Sequence, residues 1–382
     1  MLEFEINATN VKESNIFLRK LWCELNAVQE NGWFYSPFKN GNKIHIGFCN
    51  FGEVSFDYKV KGCINKLYIE TKEDKYKHSI ENAVKNALNN SMRSYDVELI
   101  LTSEKECSLA NISYENILIR KHSQYNRVCF SMEAYSAWDV QKIIGCRLST
   151  ILSILYEYTN IIFSVEKIQL IKSAVEYNNN GSMLEYDYSW IDSDEPSKDN
   201  NDCILLPNEC LKLIRYVIED DYSDQNIALL VASSRQLLCC ANELKRKGSN
   251  PLQSVGEAEA SISFLVSSFE PLSLILNKDF SKCNTCGALN YSILKKVKQL
   301  FEKYFDDGID RIVNSYYGIR SSYLHEGRVN SLLVPFHTCY PQIDPLEKNN
   351  MLRPCYNTDI FLLEASSYVF RNLAHDYFSG NL

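Results

Sequence analysis

Residues 176–202 read EYNNNGSMLEYDYSWIDSDEPSKDNND. The stretch is polar and acidic, carries an Asn-Gly turn signal and a proline, and offers too little apolar surface to close a core of its own. It predicts a long loop or linker, and the texture of the chain changes across it. Strand and helix patterns mix before it, and helical patterns dominate after it. The expected fold is therefore α+β, with a β-rich mixed domain over 1–175, a polar acidic linker over 176–202 and an all-α bundle over 203–382.

In the first half, KIHIGFC, EVSFDYKV and INKLYIETK alternate and carry β-branched or aromatic residues between Gly and Asn turns, as strands do. SIENAVKNALNNSM (79–92) reads as a helix with Ser79 as its N-cap and an apolar stripe of Ile80, Ala83, Ala87 and Leu88. DVELILT, ENILIRK and RVCFSMEAY follow as strands, then a helix from about Ala137 to Tyr158 and the strand-like IIFSVEKIQLI. After the linker, Asp224 to Lys247 places Ile227, Leu230, Val231, Leu238, Ala241 and Leu244 at helical spacing. Ile262, Leu265, Phe269 and Leu272 make a second stripe, kinked by Pro271. Leu289, Ile293, Val297, Leu300 and Tyr304 make a third. A fourth helix starts at Ile309 and ends near Glu326 with Gly327 as its cap, and Thr358 caps a last one ending near Phe378. Such helices with short connections predict a bundle.

The 382 residues carry a net charge of −8, so a uniformly basic nucleic-acid coat is excluded and any nucleic-acid contact must be a local patch. The N-terminus MLEFEINATN lacks a signal-peptide pattern. The most apolar window, 143–163, contains Arg147 and Glu157, which argues against a membrane span. The expectation is a soluble, cytoplasmic protein without membrane partners. Its 14 cysteines, among them Cys129, Cys146, Cys239 and Cys240, then read as reduced core thiols.

Within YGIRSSYLHEG (317–327), Arg320 lies about 20° from Ile309 around an ideal helix, inside the stripe formed by Ile312, Val313, Tyr316 and Tyr323. A guanidinium there is costly unless it is paired or faces a polar cavity, and such breaks favour functional sites. His325 is about 140° from Arg320 around the helix, so the two meet only through a frayed last turn or across a dimer interface. Arginine grips phosphate and histidine moves protons near neutral pH. The pair suits attack of a ribose 2′-OH on the adjacent phosphorus, which needs no metal. The bland reading makes Arg320 an ion-pair partner, for example of Glu270, and His325 a capping histidine at a helix C-terminus.

IRSSYLHEG resembles the Arg-Ser-x-x-x-His-Gly segment of Apea-like HEPN domains. EAEASISFLVSSFEPLSLIL, CNTCGALNYSILKKVKQLFEKYF and IFLLEASSYVFRNLAHDYF are similar to other helices of that family, so the resemblance covers about Asp224 onward. It implies a metal-independent endoribonuclease, often a toxin or abortive-infection effector of bacterial antiviral defence, acting as a homodimer or higher oligomer. Arg320 and His325 carry over as catalytic residues, with Ser321, Glu326 and Glu270 supporting. Glu326 departs from the pattern by separating His325 from Gly327. Some members of the family lack catalysis, so a non-catalytic binding or regulatory module is the alternative. The resemblance leaves the first half uncovered; by its position that half is expected to receive a phage-derived or regulatory trigger.

RNA, tRNA being one candidate, would meet Lys295, Lys296, Lys298 and Arg328, with Lys303 and Arg311 nearby and Tyr317 stacking on unpaired bases. An ordinary solvated helix face explains the same lysines. No cofactor is expected. Cys283 and Cys286 have the spacing of half a structural zinc site, for which His337 and Cys339 are the candidate partners and Cys355 a further one, and two free thiols are the competing reading. A phosphate-binding Lys-Ser/Thr loop, a Gly-x-Ser-x-Gly elbow and a His-Glu-x-x-His helix are all absent from the sequence.

Overall fold

The computed structural model describes residues 1–28, 34–41, 43–49, 51–71, 73–122, 124–171, 186–191, 196–249, 257–276, 293–305, 309–327 and 358–382. The architecture is α+β, with antiparallel sheets in the N-terminal part and helices in the C-terminal part. The chain divides into two compact units, Met1–Tyr95 with Ser131–Ile144, and Asp96–Phe130 with Gly145–Leu382. This division does not fall at 176–202, where the composition had suggested a linker.

The first unit opens with β1 (Leu2–Glu5) and α1 (Val11–Val28). Asn10 caps α1 by accepting the Glu13 N–H at 2.9 Å, and the Glu13 carboxylate reaches back past the cap to accept the Thr9 N–H at 2.9 Å. Strands β2 (Phe34–Asn40), β3 (Lys43–Cys49), β4 (Gly52–Val60) and β5 (Cys63–Thr71) complete a five-stranded sheet ordered β1-β5-β4-β3-β2. Helix α2 (Lys77–Asn89) starts two residues before Ser79, so Ser79 is not its N-cap. One face of the sheet, with Ile46, Val54, Leu67 and Ile69, packs against Phe17, Leu21 and Leu25 of α1 and Ile80, Val84 and Ala87 of α2. Burying that apolar area is what holds the unit together.

The second sheet comprises β6 (Arg93–Ser103), β7 (Ile112–Tyr114), β8 (Ile117–His122), β9 (Tyr125–Ala134) and β10 (Phe163–Ile171), ordered β10-β6-β9-β8-β7. Between β9 and β10 runs α3 (Ala137–Thr159). Its Arg147 donates to the Ile218 carbonyl and lies 3.3 Å from Asp220, while Glu157 is fully buried. The bundle consists of α4 (Asn208–Glu219), α5 (Gln225–Ser249), α6 (Glu257–Leu276), α7 (Ile293–Tyr304), α8 (Ile309–Glu326) and α9 (Thr358–Phe378). Helix α6 is its hub, touching α5, α7, α8 and α9. On α5, Ile227, Leu230, Val231 and Ala241 are buried as the stripe requires, while Leu237 and Cys240 are buried in place of Leu238.

The expected linker supplies part of this unit's core. Tyr186 and Trp190 are buried, the Trp190 Nε1–H donates to the Tyr186 hydroxyl, and that hydroxyl donates to the Tyr158 carbonyl. From α9, Asn372 donates to the Tyr188 carbonyl and Arg371 to the Trp190 carbonyl. Two aromatic rings outweigh the polar composition around them, because each buries a large apolar area. The cysteines also depart from expectation: Cys129 and Cys240 are buried, but Cys146 and Cys239 are exposed. Among the described residues, no helix is long and apolar enough to cross a membrane.

Candidate active site

Val313 and Tyr316 bury the apolar stripe of α8 in the bundle. One turn further, the stripe delivers Arg320 to α6. Arg320 Nη1 lies 3.0 Å from Glu270 Oε1, and the Tyr317 hydroxyl donates to the same oxygen at 3.4 Å. The Arg320 and Glu270 side chains are 24 % and 26 % exposed, so the pair is open to solvent on one side. Arg320 Nε is buried without a hydrogen-bond partner among the described residues. Burial, and then the Glu270 charge, push the Tyr317 hydroxyl well above the usual tyrosine range, so it stays a neutral donor. Glu270 precedes Pro271, whose missing N–H leaves the Ser267 carbonyl without its intrahelical donor.

His325 is exposed on the last turn of α8. Gly327 ends the helix with φ of 65° and donates to the Tyr323 carbonyl at 3.1 Å, a left-handed cap that suits glycine. Ser321 and Glu326 are also exposed. The fold thus brings Arg320, Glu270 and Tyr317 together, and leaves His325 on another side of the same helix. With its hydroxyl engaged by Glu270 and its ring partly buried, Tyr317 is placed as a support for the ion pair, and stacking on a base would require it to turn outward.

On α7, Lys295 is exposed and Lys296 and Lys298 are half-buried. Lys303 is paired with Asp376 of α9 at 2.6 Å. Arg328 and the candidate zinc ligands Cys283, Cys286, His337, Cys339 and Cys355 lie outside the described residues. Among the described residues, no group of three or more His, Cys, Asp or Glu side chains is arranged to hold a metal ion.

The sequence reading overlooked a second arginine, Arg371 on α9, flanked by apolar residues as Arg320 is. It is fully buried, its Nη1 and Nη2 donate to the Glu157 and Trp190 carbonyls at 2.9 and 2.7 Å, and its guanidinium carbon sits 3.5 Å from the Trp190 ring centroid. The interrupted stripe was the signal that would have found it.

Compared with protein-family models, curated proteins and solved structures, the chain returns no match.

Proposed function

We propose that the chain is a metal-independent endoribonuclease, an effector of antiviral defence that works as a homodimer. The observation that carries this reading is the state of Arg320, a guanidinium held by one carboxylate and partly open to solvent, on the same helix as an exposed histidine five residues further on. His325 takes the proton of a ribose 2′-OH, and the oxygen attacks the adjacent phosphorus. Arg320 steadies the charge on the crowded phosphate. The imidazolium formed then returns a proton to the departing 5′ oxygen, leaving a 2′,3′-cyclic phosphate and a 5′-hydroxyl. DNA lacks the nucleophile and is spared. Because the two side chains diverge by about 140° on one ideal helix, two copies of α8 are needed to compose the site.

The test is a gel assay with total tRNA and EDTA. Sustained cleavage that disappears in His325→Ala supports the reading. Intact RNA with the wild type at every pH, or cleavage that survives His325→Ala, refutes it. A second reading is favoured by the Arg320–Glu270 pair itself: the arginine fastens α8 to α6, and the bundle is a non-catalytic binding or regulatory module. In that case RNA stays intact while a partner is still bound.

A further inference from the structure

We propose that the outer face of the first sheet is a docking surface for a cationic protein segment, rich in arginine or lysine. The proposal stands independently of the ribonuclease reading. Helices α1 and α2 cover only one face of this sheet. Strand register puts Phe34, Phe48, Glu53 and Glu70 in one transverse row across β2, β3, β4 and β5 of the other face. Phe34 is 70 % and Phe48 41 % exposed. Rings so exposed give up apolar area that a partner would cover. The next row holds Phe38 stacked on His45, with ring centroids 4.2 Å apart and planes 2° apart.

The charges say what kind of partner fits. Glu53, whose carboxylate lies 3.4 Å from His45 Nδ1, and Glu70 face each other directly, and like charges in that position are unfavourable, so a cation that bridges the two carboxylates is favoured. On this face the carboxylates of β1, β4 and β5 outnumber Lys43 and Lys66 by five to two. A nucleic acid would find rings to stack on but a repulsive field for its phosphates. An arginine or lysine side chain finds both an attractive field and ring faces. The sheet already shows this mode of capture. Lys43 Nζ sits 3.9 Å above the Tyr68 ring, and the Tyr68 hydroxyl donates to Asp57 at 2.8 Å. Pro37 and the register shift between Tyr35 and Phe38 spoil β2 as an edge for strand addition, so the partner is met by the face of the sheet.

The experiment uses the full chain and a fluorescein-labelled peptide of alternating arginine and glycine, read by fluorescence anisotropy at physiological salt. Phe34→Ala with Phe48→Ala leaves the net charge unchanged and should weaken binding about five- to tenfold, the worth of two exposed cation–ring contacts. Glu53→Gln with Glu70→Gln should weaken it by a similar factor. Asp74→Asn with Glu81→Gln removes the same charge from the helix side of the unit and should change affinity less than about twofold. Phe34, Phe48, Glu70, Asp74 and Glu81 are exposed and Glu53 is half-buried, and circular dichroism of each variant verifies folding. The proposal fails if the wild type does not bind the peptide. It also fails if the phenylalanine variant binds as well as the wild type, because the attraction is then unspecific charge. A single-stranded RNA of mixed sequence is the remaining arm: RNA binding that is lost on changing Phe34 and Phe48 would overturn the cationic-partner assignment.

Discussion

Arg320 and Arg371 sit in the same sequence context, a guanidinium inside an apolar stripe of a bundle helix, and the fold uses them in opposite ways. Arg371 is fully enclosed, spans two backbone carbonyls and stacks on Trp190. Arg320 is held by a carboxylate and a phenol and keeps one side in solvent. Carbonyls cannot leave, so Arg371 is a fixed strut. A half-exposed carboxylate can be displaced by another anion, so Arg320 is the arginine to which the proposed ribonuclease reading assigns a phosphate. A broken stripe marks a constrained arginine, and the partner group tells structure from chemistry.

The comparison breaks most visibly at Arg371. Arg371→Ala removes the donors from two buried carbonyls and opens a cavity under Trp190, and should cost about 3–5 kcal/mol. Urea unfolding measures this; a loss under about 1 kcal/mol would mean the strut is idle. Arg320→Ala should leave stability within about 1 kcal/mol of the wild type, because its ion pair is partly solvated. The same change should slow RNA cleavage by at least about 100-fold, the usual worth of a donor aimed at developing phosphate charge. Time courses on tRNA test it, and a variant that unfolds instead would make the two arginines alike.

Glu157, next to the strut, gives a pH test of the enclosed side. Burial pushes its carboxyl up from the ordinary 4.5 to about 8, against smaller opposing pulls from Ser367 and Arg371. Between these values the folded chain keeps a proton that the unfolded chain has released. The stability this group contributes is thus whole below 4.5, declines as pH rises through that window, and levels off above 8. Glu157→Gln removes that decline, so the variant should gain on the wild type as pH rises, on the order of 3 kcal/mol by pH 7. Denaturant titrations at several pH values read the slope, and parallel curves would contradict it. The smallest effect belongs to Gly327→Ala. A Cβ there meets nothing within 4 Å, so the only cost is the left-handed backbone, about 1 kcal/mol of thermal stability.

Much of this architecture can be read from residues alone, and the misses have physical reasons. Alternation in KIHIGFC or EVSFDYKV marks a strand because one face must be buried, whatever the rest of the chain does. The helix Asn208–Glu219 has an equally plain stripe in Leu211, Ile214, Val217 and Ile218, and goes unnoticed beside the acidic stretch that precedes it. The packing of 186–191 depends on Tyr186 and Trp190 finding α3 and α9, contacts made far along the chain that local composition does not contain. The pairing of Arg320 with Glu270, across 50 residues, is open to sequence reasoning only as one option among several; its half-exposed geometry needs the bundle.

The carbonyl clamp of Arg371 also dictates an order of events during synthesis. Its bond to Glu157 closes a loop of 214 residues, and α9 is made after every other helix it touches. Until α9 emerges from the ribosome, the groove it fills on α4, α5, α6 and α7 is open and greasy. The docking of α9 is therefore the last step in assembling this bundle, and it covers apolar surface that earlier helices leave exposed.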